Sequence, residues 1–175
     1  VNTIIVRDGK LCGYNTDYFG FEYMLKKSKV NVKDKKALVL GSGGASATVQ
    51  AVLRDMGASE VVVLSRNGDD NYVNMYIKHT DAKIIVNTTP VGMYPDNLNT
   101  LVDLDRFKNL SGVLDVVYNP LKTRLILDAE QRNIPSSAGL SMLVAQAKKA
   151  HDDYMTSKAI LENLVGSEAL NKIDN

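Results

Sequence analysis

Apolar residues follow two rhythms along the chain. Positions 2–6 and 11–14 alternate β-forming and polar residues around Asp8-Gly9, a pair suited to the positive-φ positions of a hairpin turn. The pattern predicts a two-stranded ribbon that needs a sheet to join. From Asp17 to about Lys27 the spacing of Phe21 and Leu25 around Tyr23-Met24 predicts a short helix, with Asp17 as its N-cap. The lysine-rich stretch 26–36 reads as a solvated linker. Ala37-Leu38-Val39-Leu40 is a continuous apolar run that breaks into Gly41-Ser42-Gly43-Gly44. Ala45, Val49, Val52, Leu53 and Met56 then recur at helical spacing until Gly57. Glu60-Val61-Val62-Val63-Leu64 completes a strand–helix–strand unit with parallel strands. Further along, the pattern predicts a helix over 72–78, a strand over 83–87, a strand over 112–117 and a helix over 121–131 with Leu121, Leu125 and Ala129 on one face. Ile134-Pro135 reads as a brief strand or connector, 139–155 as an amphipathic helix, 159–165 as a last helix and 166–175 as a fraying tail. Strands alternating with helices predict an open α/β parallel sheet, with ligands beyond the carboxyl ends of its strands.

Composition narrows the classes. At 175 residues, 45% hydrophobic and 23% charged, the chain has the make-up of a soluble globular protein. Twenty-one Lys and Arg against 20 Asp and Glu leave a net charge of +1, which argues against nucleic acid as a partner. The lone Cys12 excludes an internal disulfide and any Cys-rich zinc site, and it reads as a small strand hydrophobe. His79 and His151 are far apart in sequence and are expected at the surface. No apolar run approaches the roughly 18 residues that span a bilayer, and the layout of a signal peptide is missing, so no membrane partner and a cytoplasmic location are expected. The opening Val1-Asn2-Thr3-Ile4-Ile5-Val6 is already strand-like and carries no Met, as expected of a piece of a longer protein.

The strongest chemical signal is Gly41-Ser42-Gly43-Gly44-Ala45-Ser46 between a strand and a helix. Backbone N–H groups at a helix start bind phosphate, and glycines let a pyrophosphate approach closely. Ser46 stands where the usual dinucleotide pattern has its third glycine. After the next strand comes Ser65-Arg66-Asn67, where NAD-preferring folds usually carry an acid for the ribose 2′-OH. An arginine there can meet a 2′-phosphate, which points to NADP, whereas Asp69 and Asp70 would repel one. On local pattern alone Gln146 reads as a solvent-facing polar residue.

Several segments taken together resemble one family: Val1-Asn2-Thr3, Gly13-Tyr14-Asn15-Thr16-Asp17, Gly41-Ser42-Gly43-Gly44-Ala45, Asn87-Thr88-Thr89-Pro90-Val91-Gly92-Met93, Asp115-Val116-Val117-Tyr118-Asn119-Pro120 with Thr123, and Gly139-Leu140 through Met142-Leu143 to Gln146-Ala147. Their order and spacing resemble shikimate dehydrogenase. The resemblance implies reduction of 3-dehydroshikimate to shikimate with NADPH, in the pathway to aromatic amino acids. It implies a Rossmann-like, doubly wound sheet with a short N-terminal β-ribbon and C-terminal helices. The corresponding parts are 1–16 as the remnant of a substrate-binding domain, 17–137 as the NADP-binding domain, and 138–175 as helices packing back toward the substrate domain.

Residue by residue, the resemblance implies substrate contacts at Asn2, Asp17, Tyr118 and Gln146, with Asp17 also the aspartate paired to a catalytic lysine. It implies a pyrophosphate loop at Gly41, Ser42, Gly43, Gly44 and Ala45, and a 2′-phosphate clamp at Ser65, Arg66 and Asn67. Thr89, Val116, Gly139 and Met142 would wall the ribose and nicotinamide. The lysine itself lies, in the family, in an N-terminal domain whose motifs are not in this sequence; Lys122 belongs to the cofactor side. The partners implied are the small-molecule substrate and that domain, without which turnover is not expected. A quinate/shikimate dehydrogenase using NAD, or a nucleotide-binding module without catalysis, are the other readings open at this point. Two structural expectations follow. The short span between Arg66 and Asn87 leaves the sheet short of a strand and the adenine side open. Apolar surface is expected on the ribbon and on the C-terminal helices.

Overall fold

The computed structural model describes residues 2–7 and 9–165. Val1, Asp8 of the expected turn and the tail 166–175 lie outside the described residues. Strands β1 (Thr3–Arg7) and β2 (Lys10–Tyr14) pair antiparallel, with Gly9 at φ +71° between them. Among the described residues this ribbon remains a two-stranded sheet of its own, so the larger sheet it was expected to join does not take it up. It lies instead against the C-terminal helix.

Helix α1 (Thr16–Ser28) is capped by Asn15, whose side chain accepts from the Asp17 N–H. The cap expected at Asp17 is therefore displaced by two residues, and Asp17 sits in the first turn with its carboxylate free for other work. Part of the lysine-rich stretch is structural: Lys36 opens β3 (Lys36–Leu40), its side chain only 13% exposed, and bridges Glu60 and Asp81 at 3.2 Å each.

The main sheet has five parallel strands in the order β4-β3-β5-β6-β7, with β4 (Glu60–Leu64), β5 (Ile84–Asn87), β6 (Gly112–Asp115) and β7 (Ser136–Ala138). Strand alternation divides the core into two. Ala37, Val39, Ile84, Val86 and Leu114 pack with α1, α2 (Gly44–Asp55) and the start of α5 (Leu140–Val165). Leu38, Leu40, Ile85 and Val113 pack on the other side with Met75 of α3 (Met75–Lys78) and with Leu125, Ile126 and Ala129 of α4 (Arg124–Gln131). Helices cover both faces, as the period-two burial of parallel strands requires. From β3 the chain runs outward to β4, then crosses back to β5 on the other side. The switch point thus lies between the carboxyl ends of β3 and β5.

Five element boundaries differ from the sequence pattern. The brief strand or connector expected at Ile134-Pro135 is found two residues later, as β7. Helix α3 is only one turn because Asn71 and Asn74 spend their side chains on nearby N–H groups, at 2.9–3.0 Å, in place of helical bonds. Strand β6 stops at Asp115, whose Oδ1 takes the Val117 N–H at 3.0 Å. Helix α4 begins at the Thr123 cap, leaving Leu121 65% exposed. Helix α5 (Leu140–Val165) runs unbroken through the gap expected before residue 159, with Thr156 bonding back to the Asp152 carbonyl at 2.8 Å. No strand other than β5 occurs between Arg66 and Asn87, so β4 is a sheet edge.

Candidate active site

A cleft of about 620 Å³ opens at the switch point, lined by Gly41, Ser42 and Gly43, by Ser65, Arg66 and Tyr72, and by residues 88–91 with Leu101. Gly41 is at φ +103°, and a Cβ there would lie 2.7 Å from Thr89 Cγ2 and 3.1 Å from Thr88 Oγ1. Only glycine lets the turn pass so close to the loop after β5. Cβ atoms on Gly43 and Gly44 would meet nothing within 4 Å, so the backbone here faces open space. Gly43 caps α2 without a side-chain acceptor, which leaves first-turn N–H groups of the helix facing outward. Ser46, at the place of the third glycine, is 1% exposed and accepts from Gln50 Nε2 at 3.1 Å, so it packs inward and takes nothing from the cleft.

The loop after β5 is preset by a buried network. Asn87 Oδ1 accepts from the Thr89 N–H at 3.0 Å and from Thr89 Oγ1 at 2.7 Å, while its Nδ2 donates to the Val91 carbonyl and to Asp115 Oδ1. Asp115, fully buried, also accepts from Thr123 Oγ1 at 2.7 Å. Burial pushes its carboxyl up to about 6, against the opposing pull of its hydrogen bonds from Thr123, Val117 and Asn87. Three elements, the ends of β5 and β6 and the start of α4, are tied through one carboxylate.

A second cluster forms where α1, α5 and the ribbon meet. Gln146 Nε2 donates to Asp17 Oδ1 at 2.5 Å across 129 residues of sequence. Asn2 Oδ1 accepts from the Thr16 N–H at 2.9 Å and from Thr16 Oγ1 at 3.1 Å, one residue before Asp17. Gly20 permits this approach, since a Cβ there would lie 2.6 Å from Gln146 Cγ and 2.9 Å from the Met142 carbonyl oxygen. Gln146 is partly buried against α1, so the solvent-facing position expected from its local pattern is corrected. Gly139 is pressed on β6's continuation, its N–H donating to the Val117 carbonyl at 2.9 Å, and a Cβ would lie 2.1 Å from the Val116 oxygen.

Among curated proteins, the shikimate dehydrogenase (NADP(+)) of Clostridium perfringens strain 13 is 35% identical over 183 residues, covering 94% of this chain and 68% of its own. The chain belongs to the shikimate dehydrogenase family. No family model matches it. Among solved structures, a chorismate mutase/shikimate 5-dehydrogenase fusion protein from Clostridium acetobutylicum superposes with a TM-score of 0.81 at 30% identity, over 98% of this chain and 66% of the other. The Thermus thermophilus shikimate 5-dehydrogenase in complex with NADP(H) and shikimate gives 0.72 at 32% identity, over 85% and 59%. The chain thus spans about two thirds of the length of such relatives, and these relatives share its Rossmann-like sheet.

Against this family background, the structure brings Gly41, Ser42, Gly43, Ser65, Arg66 and Thr89 to one cleft and Asn2, Asp17 and Gln146 to one cluster. Gly44 and Ala45 open α2 beside the cleft. Asn67 is exposed and does not line it. Tyr118 is 49% exposed, and Met142 is buried in the core on the α1 side. Lys122 is paired with Glu130 at 2.8 Å. The expected surface position of His79 is corrected: it is 7% exposed, with Nε2 2.9 Å from Asp70 Oδ1. His151 is exposed. Sequence reasoning missed Tyr72, Thr88 and Leu101 in the cleft wall, the Asn87–Asp115–Thr123 network and Gly20. Only Gly20, a glycine within a helical pattern, carried a local signal. Among the described residues no cluster could hold a metal ion, and no helix is long and apolar enough to cross a membrane.

Proposed function

We propose that this chain binds NADP in the cleft at the switch point and carries the cofactor side of the reduction of 3-dehydroshikimate to shikimate. The observation that carries this reading is the open glycine turn leading into an uncapped helix, with Arg66 on the same cleft and in no hydrogen bond or ion pair among the described residues. The residues fit the group: N–H groups of α2 for the pyrophosphate, Arg66 and Ser65 for a 2′-phosphate, Thr89 and Leu101 along the wall. NADPH bound there supplies the hydride that reduces the ketone carbon, and the carbonyl oxygen must gain a proton.

This chain's own part in the proton step is Asp17. With Oδ1 held by Gln146, its Oδ2 is left to hold a cationic proton donor in place, and Asn2, Gln146 and Tyr118 are the groups that would orient the substrate hydroxyls. The donor itself is a lysine that family members carry in their N-terminal domain. Residues 1–16 would belong to that domain, 17–137 to the nucleotide domain, and 138–175 would pack back toward the substrate.

Calorimetric titration of the protein with NADP(+) and NAD(+), with Arg66→Ala alongside, tests the reading. NADP(+) binding weakened at least about tenfold in the variant, roughly 1.4 kcal/mol, with NAD(+) unchanged, is expected. Binding of neither nucleotide would mean that Gly41-Ser42-Gly43-Gly44 is a bare turn.

A further inference from the structure

In the turn that follows β4, the Asp70 carboxylate is engaged by residues outside the cleft lining. The Ser65 N–H donates to the Asp70 carbonyl at 3.2 Å and closes the turn 65–70. The Gly68 carbonyl accepts from Asn71 Nδ2 at 3.4 Å, and the Asp69 carbonyl from Asn74 Nδ2 at 2.7 Å and Lys78 Nζ at 3.0 Å. Asp70 Oδ1 accepts from Lys78 Nζ at 3.1 Å and lies 2.9 Å from Nε2 of the buried His79. Every side-chain partner among these stands on residues 71–79. The bonds from His79 and then Lys78 hold the Asp70 carboxyl below its ordinary range.

Arg66 shares this turn but not its bonds. It is exposed, on the cleft beside Ser65 and Tyr72. A carboxylate four residues away in a closed turn is a natural partner for a guanidinium, because planar bidentate pairing is favoured over single bonds. A phosphate arriving at such a pair would have to displace the carboxylate and would be repelled by it. Two basic side chains on α3 and its end instead occupy Asp70 from behind.

We propose that Lys78 and His79 form a latch that holds Asp70 off Arg66, so that the three act as positioning residues for recognition of an adenosine ribose carrying a 2′-phosphate. The proposal rests on the nucleotide reading above and names the selectivity of that same cleft. It explains how a turn containing Asp69-Asp70 still presents a free arginine.

The test is calorimetric titration with NADP(+) and with NAD(+) of wild type, Lys78→Ala, His79→Leu and the double variant Lys78→Ala/Asp70→Asn. The Lys78 side chain is 47% exposed, so its removal leaves the core intact even if His79→Leu fails to fold. Lys78→Ala is expected to weaken NADP(+) binding about 3- to 10-fold while NAD(+) affinity stays within about twofold, and adding Asp70→Asn restores NADP(+) affinity. Unchanged NADP(+) affinity in Lys78→Ala, an equal loss for both nucleotides, or a loss that Asp70→Asn does not recover overturns the latch and leaves the cofactor reading standing. Wild-type protein that binds neither nucleotide overturns both.

Discussion

Asp115 is the residue on which the loops around the cleft converge, and its chemistry makes a prediction about pH. Its carboxyl is raised to about 6 by burial, above the ordinary aspartate value of about 3.9 that an unfolded chain would show. Between about pH 4 and pH 6 the folded protein therefore holds a proton that the unfolded chain has released. The stabilising contribution is complete below pH 4 and is lost as pH rises toward 6, by about 3 kcal/mol in all. In Asp115→Asn the amide oxygen can still accept from Asn87 Nδ2 and the Val117 N–H, and no group titrates. Urea denaturation at half-unit steps from pH 4 to pH 8 should show wild type losing stability relative to the variant across that window, and parallel curves above it. Curves parallel throughout would mean that Asp115 is ionised in both states or in neither. The carboxylates held low by partners, Asp70, Asp81 and Asp105, act with the opposite sign and below pH 4, so they do not disguise the effect.

At the scale of elements, the crossing of α1 and α5 is set by a single missing methyl group. A Cβ on Gly20 would press on the Met142 carbonyl, which is backbone of α5 and can yield only if the helix moves. Alanine would gain up to about 1 kcal/mol of helix propensity at this position, but overpacking typically costs about 1–3 kcal/mol. Gly20→Ala should therefore lower the denaturation midpoint and part Gln146 from Asp17; a raised midpoint would show that the two helices have slack. The same crossing marks the boundary of what the sequence makes legible. Four of the five sheet strands and the glycine turn were readable because each is a local pattern, an apolar run or a run ending in glycine, whereas β7 is a polar Ser-Ser-Ala that hydropathy does not mark. The cap of α1 was misplaced because Asn15 and Asp17 are both able to cap and only the backbone geometry decides between them. Helix α3 was overextended because Asx side chains compete with helical bonds, which periodicity does not register. Contacts such as His79 with Asp70 or Gln146 with Asp17 arise from packing, and the resemblance could name Asp17 and Gln146 but local pattern could not join them.

Across the whole molecule, the two clusters differ in how complete they are. The cleft at the switch point is walled by the ends of β3, β4 and β5 and by the loop that Asn87 presets. The ribbon and α5, which carry part of the Asp17 cluster, also expose apolar residues, Ile4 at 65% and Val6 at 50% on the ribbon and Leu143 at 39% and Val144 at 60% on α5, in the regions where apolar surface was expected. On the proposed reading, a nucleotide would be held by groups present in this chain, whereas a substrate at Asp17, Asn2 and Gln146 would also need groups of the N-terminal domain. That asymmetry predicts separate ligand responses. At about 100 times its dissociation constant a ligand that binds only the folded state adds about 2.7 kcal/mol of stability, which for a chain of this size raises Tm by roughly 5–10 °C. NADP(+) at that excess should produce such a shift, shikimate alone should produce none, and the two together should give no measurable oxidation of shikimate. Loss of a general acid or base typically costs about 10²- to 10⁴-fold in rate, so turnover within tenfold of a family member measured alongside would place the proton donor inside these 175 residues. Tyr118, half exposed and without a hydrogen-bond partner among the described residues, would then be the first residue to replace, since Lys122 is already held by Glu130.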